Sequence, residues 1–324
     1  MDSLVAHLRE YNRFILISHV RPDGDAIGSL LGLAYGLHQL GKEVVPVLLD
    51  GVPKAFSFLE DRVLPVTNTL PKPDTETICI LLDAADASRC GDRETLRDYA
   101  NRQRVMVIDH HPLGDLEPKA LAYFHSLQAS STAEMVYHIL TELSCRITPQ
   151  IATCLYCGMY TDTSGFRHSN TTTTTLEVAA ELLKRGANLR KIVAEIGQQK
   201  SIARLRLIGI AMRRVMVSRR WNSAYTVVAH SDIVENGASP EDVTGIVNQV
   251  SVLPGISSFM MLTEEKPGVI KGSLRVPDGT KQKISLRPLA KLLGGGGHSS
   301  AAGFEITGSL NHTDGAHGGN WRID

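Results

Sequence analysis

The sequence predicts an α/β fold in which a doubly wound, mostly parallel sheet is joined by helices to a smaller mixed α/β domain. Three observations carry that prediction. Short apolar, β-branched runs alternate with segments of helical spacing, the order that right-handed crossovers wind into a parallel sheet. Several of these runs stop at polar side chains, most sharply at Val105-Met-Val-Ile108, which ends in Asp109, His110 and His111. The chain has 324 residues, more than one hydrophobic core usually organises.

The elements follow in order. Residues 13–18 read as the first strand and run into His19, Asp23 and Asp25; from 26 to 40, Ile27, Leu30, Leu31, Ala34 and Leu37 recur at helical spacing and Gly41 supplies the stop. Residues 43–49 form a second strand, followed by a connector holding Pro53, Pro65, Pro71 and Pro73. The third strand, 77–82, ends at Asp83, and 104–108 is the fourth. Ser131 and Glu134 have the spacing of a capping box for a helix through Leu143, Pro149 suits the first turn of the next helix, and a polar loop over 161–168 contains Asp162 and Arg167. Helical patterning persists over 173–217. Then β-like runs at 224–229, 257–262 and 268–276 mark a second domain, which closes with a helix-like segment at 285–293 and the run Gly294-Gly-Gly-Gly-His298. The expected organisation is a larger α/β domain over 1–195, a helical linker over 196–217, a smaller domain over 218–308 and a disordered tail over 309–324, poor in apolar residues.

Bulk properties narrow the function. The formal net charge is zero, which argues against a clamp on long duplexes and leaves a small or short polyanion as ligand. No stretch approaches the roughly 18 apolar residues of a membrane span, so a soluble, cytoplasmic protein without membrane partners is expected. Five cysteines, an odd number scattered through apolar segments, point to a reducing compartment. The lone C-x-x-C at Cys154 and Cys157 reads as two small apolar residues on a buried helix.

The chemistry lies where strands end. If the first, third and fourth strands are neighbours, His19, Asp23, Asp25, Asp83, Asp109, His110 and His111 meet in one crevice, with Asp162 to follow. Any one of these acids is more often a helix cap or turn residue than a ligand; their joint occurrence carries the signal. So many carboxylates in a desolvated crevice call for cations. Carboxylate and imidazole donors without thiolates suit Mn²⁺, with Mg²⁺ or Co²⁺ as alternatives, and the count suits two ions. Such a pair acts in displacement at phosphorus. The consecutive amides of Gly295, Gly296 and Gly297, taken as feeding a helix start, would cradle an anion.

These motifs together resemble the DHH phosphoesterase superfamily, and the glycine run with His298, Ala301, Ala302 and Gly303 resembles its DHH-associated C-terminal domain. Within it the chain is most similar to the bacterial nanoRNase/pAp phosphatase group, over residues 1–308. The resemblance implies that His19 and Asp23 bind one Mn²⁺, that Asp25, His110 and Asp162 bind the other, and that Asp83 bridges both. Asp109 would orient its neighbours from behind the ligands, and His111 would face the scissile phosphate. Arg167 is a further candidate there. Arg275 and His298 would hold the substrate's other phosphate. The implied activity is release of 5′-mononucleotides from short oligonucleotides and dephosphorylation of pAp; the alternatives are a cyclic di-AMP or pApA phosphodiesterase and, outside enzymes, a nucleotide-binding regulatory module. A homodimer is compatible with this reading.

Overall fold

The computed structural model describes residues 1–84, 86–197, 201–277, 280, 284–297, 299–313 and 320–324. They form two compact units, Met1–Gln198 and Gln199–Asp324.

The first unit runs α1 (Asp2–Glu10), β1 (Arg13–Ile17), α2 (Gly24–Gln39), β2 (Glu43–Val47), β3 (Thr77–Leu82), α3 (Arg93–Asn101), β4 (Val105–Asp109), β5 (Ala122–His125), α4 (Thr132–Glu142), α5 (Pro149–Asp162), α6 (Thr173–Lys184) and α7 (Leu189–Ile192). Its five strands are all parallel in the order β2-β1-β3-β4-β5. The first, third and fourth strands are therefore neighbours, as the crevice requires. β3 and β4 are buried along their whole length. On one face Ile78, Ile80, Leu82, Met106 and Ile108 pack with residues of α2, α4 and α5; on the other Cys79, Leu81, Val105 and Val107 pack with Leu96 and Tyr99 of α3. Burial on both faces is why these strands read as continuous apolar runs.

α2 and α5 lie at backbone contact. Gly24, Gly28, Gly32 and Gly36 repeat every fourth residue along one face of α2, and a Cβ on Gly28 would land on the Cys154 carbonyl oxygen. Cys154 and Cys157 are buried and unpaired on α5, small packing residues as expected.

The second unit runs α8 (Ile202–Arg213), β6 (Met216–Ser218), β7 (Ser223–Val228), α9 (His230–Glu235), α10 (Pro240–Val243), α11 (Val247–Val250), β8 (Ser258–Lys266), β9 (Val269–Arg275), α12 (Arg287–Leu292), β10 (Gly296–Gly297), β11 (Ala301–Thr307), β12 (Leu310–Thr313) and β13 (Asn320–Ile323). Its sheet is mixed, in the order β10-β11-β9-β8-β7-β6, with β7 and β8 parallel and the other pairs antiparallel. Two expectations differ here. The helix read as a linker belongs to this unit's core, because Leu207, Ile208 and Ala211 of α8 are buried with Ala224, Val228, Phe259 and Met261. The tail read as disordered contains β12 and β13, which pair antiparallel. Leu310 is buried with Val227, Leu262 and Phe304, Trp321 packs against that cluster, and the Arg214 guanidinium lies over the Trp321 ring at 4.5 Å. Two well-placed apolar side chains suffice where average composition suggested none. Residues 314–319 of that tail are outside the described set. Among the described residues no helix is long and apolar enough to cross a membrane.

Candidate metal centre

Parallel strands deliver their C-terminal ends to one edge of the sheet, so the residues following β1, β3 and β4 converge there. Asp83 leaves β3 at φ +57, in the left-handed region, its amide donating to the Ile108 carbonyl. A short polar side chain tolerates that conformation. Its carboxylate faces three imidazoles: Oδ2 is 3.4 Å from His19 Nε2, and Oδ1 is 3.6 Å from His110 Nε2 and 3.4 Å from His111 Nδ1. His19 Nδ1 lies 2.9 Å from the Val20 carbonyl, which places the proton on Nδ1 and frees Nε2 for the crevice. His110 Nε2 is also 3.6 Å from Asp162 Oδ2 and 3.9 Å from Asp25 Oδ2.

Three groups of donor atoms lie within 4.8 Å of one another: His19, Asp23 and Asp83; Asp25, His110 and Asp162; and Asp83, His110 and His111. The six residues expected as metal ligands are thus brought together. The donor chemistry fits hard or borderline divalent ions, and His110 Nε2 is buried without a hydrogen-bond partner among the described residues, as an unused ligand atom would be. Asp23 differs from the other five: its side chain is 61% exposed, and its Oδ1 caps α2 by accepting from the amides of Asp25 and Ala26, each at 3.0 Å. Asp25, which could have been only a cap, lies in the first turn with its carboxylate inside.

The electrostatics follow from crowding. Burial, then the charges of Asp83, Asp162 and Asp23, push the Asp25 carboxyl well above the usual carboxylate range. Asp162 is pushed up to about 6, by burial first, with His110 opposing and Asp83 and Asp23 adding. Burial works to lower the His19 pKa, but the bonds to Asp83 and the Val20 carbonyl and the charges of Asp83 and Asp23 outweigh it, so it is raised. Asp109 Oδ1 accepts from the His111 amide at 3.0 Å and meets His111 Nδ1 at 2.8 Å. Burial would raise the Asp109 pKa; those bonds bring it below the usual range, while the same ring bond raises His111.

Sequence reasoning missed the residues behind the donors. The N-terminus of α4 grips Asp25: the Thr132 amide donates to Oδ2 at 2.7 Å and the Ala133 amide to Oδ1 at 2.9 Å, while the Thr132 hydroxyl reaches Asp83 Oδ1 at 3.1 Å. The available signal was the hydroxyl run Ser130-Ser131-Thr132 ahead of that helix. The expected capping box is half formed. Ser131 Oγ accepts from the Glu134 amide, but the Glu134 carboxylate accepts from the Ser130 amide and hydroxyl and from the Thr175 hydroxyl instead of reaching back to Ser131. Asn170 Nδ2 donates to the Ser130 carbonyl at 2.9 Å and lies 3.4 Å from Asp162 Oδ2. Arg167 stands outside the grouped donors: its guanidinium is turned onto its own loop, at 2.8 Å from the Ser164 carbonyl and 3.2 Å from the Ser164 hydroxyl.

In the second unit Arg275 ends β9 opposite Ala301 of β11, its Nε donating to Asn248 Oδ1 at 2.7 Å and its Nη1 to the Leu274 carbonyl at 2.9 Å. The glycine run does not feed a helix start. It follows α12, and Gly296 and Gly297 pair with Gly303 and Ala302 in a hairpin. Close packing explains two of the glycines: a Cβ on Gly295 would land on the Gly303 carbonyl oxygen, and one on Gly297 would come 2.6 Å from the Ala301 oxygen; Gly294 sits at φ +76, and Gly296 has open space. Arg275 and the glycines are thus neighbours through β11. His298 lies outside the described residues.

Comparison with known proteins places this architecture. The model of the DHH family, N-terminal domain, matches residues 13–159, and that of the DHHA1 domain matches residues 222–315. The bifunctional oligoribonuclease and PAP phosphatase NrnA of Thermus thermophilus is 33% identical over 297 residues, 90% of this chain and 84% of that protein. Its Bacillus subtilis namesake is 28% identical, over 94% of this chain and 92% of that protein. The crystal structure of an exopolyphosphatase-related protein from Bacteroides fragilis superposes with a TM-score of 0.81 at 25% identity, covering 95% of this chain and 92% of that one. With both domain models in the expected order and similarity to its relatives running almost end to end, the chain belongs to the DHH phosphoesterase family.

Proposed function

We propose that the chain is a Mn²⁺-dependent phosphoesterase that releases 5′-mononucleotides from short oligonucleotides and removes the 3′-phosphate of pAp. One observation carries the reading: the sets His19, Asp23, Asp83 and Asp25, His110, Asp162, each with its donor atoms within 4.8 Å of one another, lie side by side, with Asp83 Oδ1 3.6 Å from His110 Nε2. That is the donor arrangement a two-ion phosphoesterase needs. The names of the Thermus and Bacillus relatives support the substrate class. In the proposed assignment His19 and Asp23 hold one ion, Asp25, His110 and Asp162 the other, and Asp83 both; Mg²⁺ or Co²⁺ also suits these donors. Buried, unpaired cysteines fit a reducing compartment, and the proposed location is the cytoplasm.

Bound ions supply charge neutralisation and Lewis acidity to the oxygens at phosphorus. The chain's own residues do the rest. Asp109 holds His111 by Nδ1 and raises its pKa, so that His111 can keep a proton on Nε2 for the leaving oxygen. Arg275, with the adjoining glycine hairpin and His298, holds the substrate's other phosphate through a guanidinium fork; Arg167 serves the scissile group only if it leaves Ser164. The test is a panel of pAp, pApA, cyclic di-AMP, short RNA, long DNA and pyrophosphate, given to the purified chain with Mn²⁺. The expected ranking of kcat/KM puts pAp and short RNA first. A ranking led by cyclic di-AMP would replace this function with a dinucleotide phosphodiesterase, and hydrolysis of none would leave a nucleotide-binding module.

A further inference from the structure

The first unit contains a concavity of about 450 Å³ lined by His19, Val20, Arg21, Ser88 and Arg89. His19 belongs to both this hollow and the metal centre, since its Nε2 lies 3.4 Å from Asp83. The two arginines come from different connections, one following β1 and the other following β3. They are tied together by the Val20 amide, which donates to the Arg89 carbonyl at 2.8 Å. Arg21 sits at φ +53, a left-handed conformation that a long side chain adopts only when its surroundings impose it. In that conformation its amide donates to Asp50 Oδ2 at 2.6 Å. That bond uses the backbone of Arg21. Among the described residues neither guanidinium has an ion pair or a side-chain hydrogen bond, and both arginines are exposed.

We infer that this hollow is an anion subsite for the phosphate that neighbours the scissile one along an oligonucleotide, with Arg21 and Arg89 as its donors and the Ser88 hydroxyl beside them. The inference rests on the phosphoesterase reading. pAp carries two phosphates, and the metal centre and Arg275 account for both. A 5′-phosphorylated oligonucleotide of three residues carries a further phosphate, one sugar away from the scissile group, and the hollow begins one side chain away from Asp83. Guanidiniums suit that group because they donate in a planar fork and remain charged at every working pH. A single pair of arginines grips one extra phosphate and no long strand, in keeping with zero net charge. Arg21 and Arg89 therefore bear on oligonucleotide cleavage more than on pAp dephosphorylation.

The experiment uses the full chain loaded with Mn²⁺, as wild type, Arg21→Gln, Arg89→Gln and the double variant, on a 5′-phosphorylated RNA trinucleotide and on pAp. Losing one charge-assisted contact should raise KM for the trinucleotide roughly tenfold per arginine. The loss on the trinucleotide should exceed the loss on pAp by about tenfold or more, and Arg89→Lys, which keeps the charge without the fork, should recover part of it. Equal losses on both substrates would place the arginines at the scissile group or in the fold and overturn the subsite, as would unchanged KM on both. If the wild type hydrolyses neither substrate, the phosphoesterase reading fails by itself. The subsite is then decided by calorimetric titration of the intact trinucleotide: weaker binding by the double variant supports it and equal binding refutes it.

Discussion

Thr132 touches two of the proposed ligands at once, its amide on Asp25 and its hydroxyl on Asp83, and neither contact is visible in the sequence. The partners are 107 and 49 residues away, and a threonine entering a helix has an ordinary explanation as part of its cap. Supports of this kind commonly change metal affinity ten- to a hundredfold. Thr132→Val keeps the shape and the amide while removing the hydroxyl, so calorimetric titration should show Mn²⁺ binding weakened by about that factor, and Thr132→Ser should restore it. Unchanged affinity in the valine variant would refute the orienting role. Asp83 is the sharper case. Asp83→Asn preserves a residue that tolerates φ +57 while removing the charge facing His19, His110 and His111, and occupancy of both ions should fall together. A variant that keeps two tightly held ions and near-normal turnover would disprove the bridging assignment. The convergence of the six proposed ligands was legible because each is a carboxylate or imidazole placed where an element that the apolar pattern marks out begins or ends. Asp109 was legible for the same reason. Arg167 was not, since a cation in a polar loop gives no hint that it will fold back onto Ser164.

Elements position these residues through packing, and α2 and α5 pack at backbone contact. Gly158 faces the centre: a methyl there would come 2.6 Å from the Ala133 Cβ and 2.8 Å from Asp25 Oδ1. Gly158→Ala should therefore cost about 1–3 kcal/mol in thermal or urea unfolding and displace Asp25, weakening Mn²⁺ binding as well. Gly209 of α8 is the control, because nothing lies within 4 Å of its would-be Cβ. Gly209→Ala should stabilise by roughly 0.5–1 kcal/mol through helix propensity alone. Opposite signs from the same substitution test the packing argument directly. The four-residue glycine spacing of α2 was present in the sequence and unused, since a helix read by its apolar residues shows which face is buried and not how near the neighbour comes. The Gly294 to Gly297 run was misjudged for a related reason: consecutive glycines have no period, and only the partner strand β11 reveals a hairpin. Strands buried on both faces were the easiest elements to read; β12 and β13, resting on Leu310 and Trp321, were the hardest.

At the scale of the whole chain, zero net charge conceals a first unit that gathers five carboxylates, Asp23, Asp25, Asp83, Asp109 and Asp162, around one crevice, and this ties stability to pH and to metal. Asp162 titrates near 6 when folded against an ordinary 3.8, and Asp25 is shifted in the same direction. Between those values the folded chain holds protons that the unfolded chain has released, so stability falls as pH rises through the window. A shift of about two pK units corresponds to roughly 3 kcal/mol at most for Asp162. The raised pKa values of His19 and His111 act in the same sense at higher pH: their contribution is complete below the ordinary value of 6.5 and is lost as pH climbs through the folded values. Asp109 opposes, but its lowered pKa gives stability that is lost only on acidification below the carboxylate range. The metal-free chain should accordingly melt at a higher temperature at pH 5 than at pH 8, and Asp162→Asn should flatten the difference. Divalent ions reverse the trend because they bind the deprotonated donors, so their affinity grows with pH. Thermal scans with chelator and with saturating Mn²⁺ should diverge from pH 5 toward pH 8, the metal-bound chain gaining most where the metal-free chain is weakest. A metal-free melting temperature that rises steadily from pH 5 to pH 8 would show that the crowded carboxylates are not a burden on the fold, and would remove the electrostatic case for two ions.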